Sequence, residues 1–181
     1  MRKPERKFVF RCELIGIVFI ILFGSMLHFT FELSGQNAIV AVFSAVNESV
    51  WEHLKLGFWP ALLFAIVEYR YLKKSTNSFL FAKTVGIYLI PIIITILFYA
   101  YTSILREDLF IMDILTFIIA VIVGQLSSFT LLVSKEMPKY LEKISLVALV
   151  ILGIAFVLFT FYPPHLPIFR DPVTGSYGIA E

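Results

Sequence analysis

Charge is scarce in this chain: Asp, Glu, Lys and Arg make up 15% of its 181 residues, against roughly 25% in an ordinary soluble domain. With 59% hydrophobic residues, there is too little polar surface to cover a water-facing core, which excludes a soluble globular fold. Cysteine is almost missing. Cys12 alone excludes an internal disulfide and any cysteine-built zinc motif. A net charge of +2 leaves no footprint for nucleic acid. There is no HExxH string, no GxxxG pair, no nucleophile-elbow pattern and no internal repeat, so local spacing supplies neither a zinc-hydrolase helix nor a helix-dimer seam.

What the chain does have is long apolar runs. A helix crossing about 30 Å of hydrocarbon needs about 20 mostly apolar residues. Five stretches meet that requirement, at about Phe10–Phe31, Val50–Tyr71, Phe79–Tyr101, Leu109–Val133 and Ile144–Phe161. The expected fold is therefore an all-α integral membrane bundle over residues 1–181, and its environment the lipid bilayer. Pro60 and Pro91 lie inside spans, where membrane helices tolerate proline. Placing the N-terminus in the cytoplasm puts 12 of the 15 Lys and Arg residues inside and leaves Lys55, Arg106 and Arg170 outside. By the positive-inside rule the N-terminus is then cytoplasmic and the C-terminus outside. Lys83 falls with the inner charges, and Glu68, beside Tyr69 and Arg70, reads as an interfacial ion-pair residue. Ala38–Val46 is apolar but too short to span, which fits an interfacial or re-entrant segment between the first two spans. Residues 162–181 hold four prolines with apolar anchors between them, the composition of a tail folded over the outer face.

The rare polar groups collect at that outer face. All three histidines, His28, His53 and His165, fall there. His28 and Glu32 share one face of the first span at four-residue spacing. Asn47 reads as the N-cap of the second span, followed by Glu48 and Glu52 on one face and His53 about 100° round. His28, Glu52 and Asp113 each lie roughly 6–8 Å inside an outer helix end, so they could share a layer. The tail would bring His165 and Asp171 towards it. Lys55, three residues from Glu52, is the nearest counter-charge. Towards the inner half the spans offer chiefly Gln125, Ser127, Ser128 and Glu68, which is little wiring for a path across the membrane.

The stretch Asn47-Glu48-Ser49-Val50-Trp51-Glu52-His53-Leu54-Lys55-Leu56 and the tail Pro163-Pro164-His165-Leu166-Pro167-Ile168-Phe169-Arg170-Asp171-Pro172-Val173-Thr174-Gly175 resemble a family of small bacterial multi-pass membrane proteins of uncharacterised function. The resemblance implies a bacterial inner-membrane location and transfers no activity.

From the residues themselves, imidazole and carboxylate together suit a divalent metal: zinc, manganese or iron. The expected ligands are His28, Glu32, Glu52 and His53, with Glu48, Asp113, His165 and Asp171 as possible additions. An open position on such an ion would support hydrolysis or other chemistry on a lipid or small amphiphile. Two other readings compete. One is a small transporter or accessory subunit with a protonatable outer site; the other is a structural membrane component in which the acids only cap and solvate helix ends.

Overall fold

The computed structural model describes residues 6–73, 76, 78–134 and 136–179. Arg2, Lys3, Lys74 and Lys135, which entered the charge count, lie outside the described residues, as do Ala180 and Glu181 of the tail. The chain forms α1 (Arg6–Leu33), α2 (Ala38–Ala41), α3 (Val50–Leu72), α4 (Phe79–Leu105), α5 (Phe110–Leu132) and α6 (Lys139–Phe161), then a 3-10 turn at Pro167–Phe169. Among the described residues there is no strand, only an antiparallel bridge between Arg170 and Tyr177. All helices but α2 are long and apolar enough to cross a membrane, at about 35–42 Å by helical rise.

Their bounds follow the hydropathy runs with three extensions, one of them at the end of α4, which runs on past Tyr101 to Leu105. α1 begins at Arg6 and α6 at Lys139, ahead of the apolar stretches, because Arg, Lys and Glu are good helix formers that a hydropathy window discards. Helix is continuous through Pro60 and Pro91. Beside the second, the Thr95 hydroxyl donates to the Pro91 carbonyl at 2.8 Å.

α1 packs on α3 and α5, and α4 on α3, α5 and α6. Four helices thus make a ring with α6 outside it. The core between them is apolar, with Ile20, Phe58, Ile87, Ile90, Ala120 and Val121 buried. α4 and α5 touch backbone to backbone: a methyl added at either Gly86 or Gly124 would stand 2.7 Å from the other glycine's carbonyl oxygen. Only a residue without Cβ permits that approach. Outward faces stay apolar and exposed, as at Ile15, Val18 and Leu22 of α1 and Ile151 and Ile154 of α6, which calls for lipid rather than water around the bundle.

α3 is capped by Ser49, whose hydroxyl accepts from the Glu52 amide at 3.4 Å. This corrects the assignment of Asn47 to that role. Asn47 instead accepts from the Ser49 amide at 2.9 Å and donates through its side chain to the Gly178 carbonyl at 2.8 Å. It is a turn residue that holds the tail. The apolar run from Ala38 makes one helical turn, capped by Asn37, and then folds onto the end of α1. There the Ser44 hydroxyl donates to the Leu27 carbonyl and accepts from the Phe31 amide at 3.0 Å. In the tail, Phe169 seats against Trp51 with ring centres 4.8 Å apart. The end of the bundle where α1 stops and α3 starts is therefore the tail end; the other is the N-terminal end.

Candidate functional site

At the tail end, a cavity of about 470 Å³ opens between α1, α3, α4 and α5, with Pro172 and Val173 of the tail on its rim. Much of its wall is apolar, including Phe29, Leu56, Ile94, Phe98 and Phe117; the polar part has the hydroxyls of Ser25 and Thr116 and the ionisable groups His28, Glu48, His53, Asp108 and Asp113. The ionisable groups form two clusters.

The first joins three segments: His28 from α1, Glu48 from the turn before α3, and His53 from the first turns of α3. One donor atom from each lies within 4.8 Å of the others. His53 Nε2 is 3.4 Å from one Glu48 oxygen and His28 Nε2 is 3.9 Å from the other; the two rings are 5.2 Å apart. His53 Nδ1 sits 2.9 Å from the Ser49 carbonyl. A carbonyl can only accept, so Nδ1 carries the hydrogen; Nε2 donates to Glu48 when the ring is protonated and offers its lone pair to the cavity when the ring is neutral. This is the orientation that a metal-binding histidine takes from a backbone partner. Glu48 lies outside the spans, and its carboxyl is held below the ordinary value, chiefly by the hydrogen bond to His53 and then by the charges of the two rings, against the opposing pull of burial. A tetrahedral ion about 2.1 Å from each donor would set the donors roughly 3.4 Å apart. His53 and Glu48 already stand at that spacing. His28 has to close by rotation, and its buried Nδ1 has no partner to restrain it.

The second cluster faces the first. Tyr101 of α4 lies with its hydroxyl 2.7 Å from Asp108 and 2.5 Å from Asp113. One hydroxyl proton serves only one carboxylate, so both contacts are hydrogen bonds together only when one of the two acids is protonated.

The structure brings together only part of the set expected from the sequence. His28 and His53 meet. Glu52, although adjacent to His53, is turned about 100° away from it and is buried against α6: it pairs with Lys55 at 2.5 Å, accepts from the Val46 amide at 3.1 Å and lies 3.3 Å from the Thr160 hydroxyl. Lys55 Nζ also donates to the Ala41 carbonyl at 2.9 Å and to Thr160 at 2.8 Å. Both partners are spent on one another. Glu32 shares a helix face with His28 but lies a turn beyond the cavity and is exposed. Asp171 is buried as a turn organiser, accepting from the Val173 amide at 2.8 Å and the Thr174 hydroxyl at 2.8 Å. His165 packs against Tyr177 with the rings tilted and their centres 4.6 Å apart, and is exposed. The gathered set is thus His28, Glu48 and His53, with Asp113 across the cavity.

The chain belongs to DUF6512, a family of unknown function. The family model matches residues 1–179, in keeping with the uncharacterised family that the sequence resembles. No curated protein and no solved structure matches the chain.

One cluster escaped the sequence reading altogether. At the N-terminal end, Lys83 of α4 lies 2.6 Å from Glu13 of α1 and is also paired with Glu68 of α3. Lys83 is therefore no loop charge, and Glu68 is buried within the bundle rather than paired at the interface. The usable signal was depth: each of the three lies one to two turns inside its own helix end, with opposite signs at a matching level.

Proposed function

We propose that this membrane protein binds a divalent cation through His28, Glu48 and His53, and that the bound ion serves chemistry on a lipid or small amphiphile held along the apolar wall of the cavity. The observation that carries the reading is the convergence of three metal-competent donors, from three separate segments, at the polar part of an otherwise greasy cavity. Glu32 and Glu52, first expected as ligands, are replaced in this proposal by Glu48. Zinc, manganese and iron all suit two imidazoles and a carboxylate. Phe29 and Phe110, which line the cavity, are also exposed on the outside of the bundle, so an acyl chain has apolar surface to follow inwards. The basic-residue distribution supports a site facing outwards from a bacterial inner membrane, with the N-terminus in the cytoplasm.

The test is metal content of the detergent-purified full chain after supplementation with zinc, manganese or iron. Wild type is expected to hold one equivalent of one of them. Glu48→Gln and His53→Ala are expected to lose at least 10-fold in affinity, on the scale of about 10–100-fold known for disturbed metal sites, while Glu32→Gln keeps wild-type content. Equally negligible metal in wild type and variants would dispose of the proposal. The Tyr101-bridged acids favour a second reading, a protonatable site in a small transporter. A proton-driven flux in vesicles that survives Glu48→Gln but collapses in Asp113→Asn would select it.

A further inference from the structure

The N-terminal end of the bundle holds charges that do not balance. Glu13, Glu68, Lys83 and Ser128 are each at most 4% exposed, and they come from α1, α3, α4 and α5 respectively. Both carboxylates touch the single Lys83 ammonium. Ser128 also donates to Glu13, at 3.3 Å from the same oxygen. That leaves Glu13 Oε2 and Glu68 Oε1 buried with no partner, and the Gln125 amide nitrogen, one turn from Ser128 on α5, in the same condition. Among the described residues, the Cys12 thiol of α1 also lies beside them. The α6 carboxylate Glu142 accepts from the Leu80 amide at 3.1 Å through one oxygen, its other oxygen also being without a hydrogen bond, and no ion pair joins it to Lys83 among the described residues.

Two carboxylates and one ammonium sum to a net negative charge inside helices that face lipid on their other sides. An uncompensated charge in such surroundings is neutralised, either by a proton or by a bound cation. Proteins keep such intramembrane ionisable groups where they are used.

We propose that the Glu13–Lys83–Glu68 triad is a proton-binding centre, which holds one proton on its carboxyl pair while Lys83 remains an ammonium. The proton adds to an orphan carboxylate oxygen, converting carboxylate to carboxylic acid, with no other bond made or broken. It resides on Glu68, because Glu13 has the additional Ser128 donor to stabilise its anion and Glu68 has Lys83 alone. The unpartnered Oε1 of Glu68 is where the hydrogen attaches. This centre is independent of the cavity: about 22 Å of helical rise separates Glu13 from His28 on α1, and the buried core between the two ends is apolar.

Infrared spectroscopy of the purified full chain at neutral pH counts protonated carboxyls by their carbonyl stretch. The wild type minus Glu68→Gln difference is expected to show one protonated carboxyl that shifts in heavy water. Glu13→Gln is expected to lose it as well, because a single carboxylate then balances Lys83. Lys83→Met is expected to gain a second, and Glu32→Gln to change nothing in this band. If Glu68→Gln removes only ionised-carboxylate absorption, the proposal is overturned. It is equally overturned if sodium, exchanged for choline at constant ionic strength, raises the melting temperature of wild type but not of Glu68→Gln, since an alkali cation then supplies the missing charge. Glu68→Gln is close to isosteric, so the decisive difference does not depend on whether Lys83→Met folds.

Discussion

The two ends of the bundle bury charge in opposite ways. At the tail end, Glu52 and Lys55 are three residues apart on one helix and cancel; one carboxylate oxygen is held by Lys55 and the Val46 amide, and the other lies against the Thr160 hydroxyl, whose single proton is shared with the Phe156 carbonyl at 2.9 Å. At the N-terminal end, the partners come from three helices and do not cancel, and two carboxylate oxygens are left with neither a hydrogen bond nor an ion-pair contact. A balanced pair has no net charge left to compensate and is read as architecture, fixing α3 to α6 and to the Ala41 turn. An unbalanced triad keeps capacity for one more positive charge. Burial alone therefore does not mark a functional group; the count of charges and donors around it does.

Removing the ammonium from each end breaks the comparison most directly. Lys55→Met strands Glu52 among groups that cannot replace a charge, and a loss of about 3–5 kcal/mol is expected, read as a lower unfolding midpoint in detergent. Restoring neutrality with Glu52→Gln in the same chain is expected to recover most of it, because a neutral replacement removes the stranded charge. Lys83→Met is expected to cost less, about 1–3 kcal/mol, since the triad already accommodates a proton and can take another. Equal losses at the two ends would erase the distinction. Ser128→Ala sharpens it on a smaller scale. Removing one long hydrogen bond to Glu13 is expected to cost about 1 kcal/mol, and to move the proton towards an even share between Glu13 and Glu68, visible as a change in the carboxyl band.

The smallest effect belongs to the cavity. Glu48 is held below its ordinary value of about 4.3 by His53, so its contribution to the folded state is complete above that value and is lost as pH falls through the lower folded one. Glu48 is half exposed, so solvent screening keeps this below about 1 kcal/mol. Wild type and Glu48→Gln are expected to differ slightly in melting temperature at pH 6 and to converge as pH drops below 4. Divergence on acidification would mean that Glu48 is stabilised in its protonated form instead.

The helical architecture was legible because apolar length is a one-dimensional property: five runs of sufficient length became five helices, misjudged by about a turn where the first turns of α1 and α6 are charged and where α4 runs on to Leu105. The site was half legible. His28 and His53 stood out as rare groups near helix ends. Helical spacing favoured Glu32 and Glu52 as their companions, but spacing reports a face and not what lies opposite it. The fold-back through Ser44 returns Glu48 to the level of His28, while α6 claims Glu52 through Thr160, and neither event has a local signature. The triad was hidden for the same reason, since Glu13, Glu68 and Lys83 meet only once three helices are packed.

The glycine contact between α4 and α5 has a mechanical consequence. Where two backbones touch, neither helix can slide along the other without collision, but each can tilt about the point of contact. Gly86 is three residues from Lys83 and Gly124 four from Ser128, so this pivot lies beside the triad, whereas Tyr101 and Asp113 are at the far ends of their helices. A tilt of about 5° would barely disturb the triad yet carry Tyr101, roughly 22 Å up α4, by about 2 Å. A small event at one face of the membrane would be magnified at the other by leverage alone.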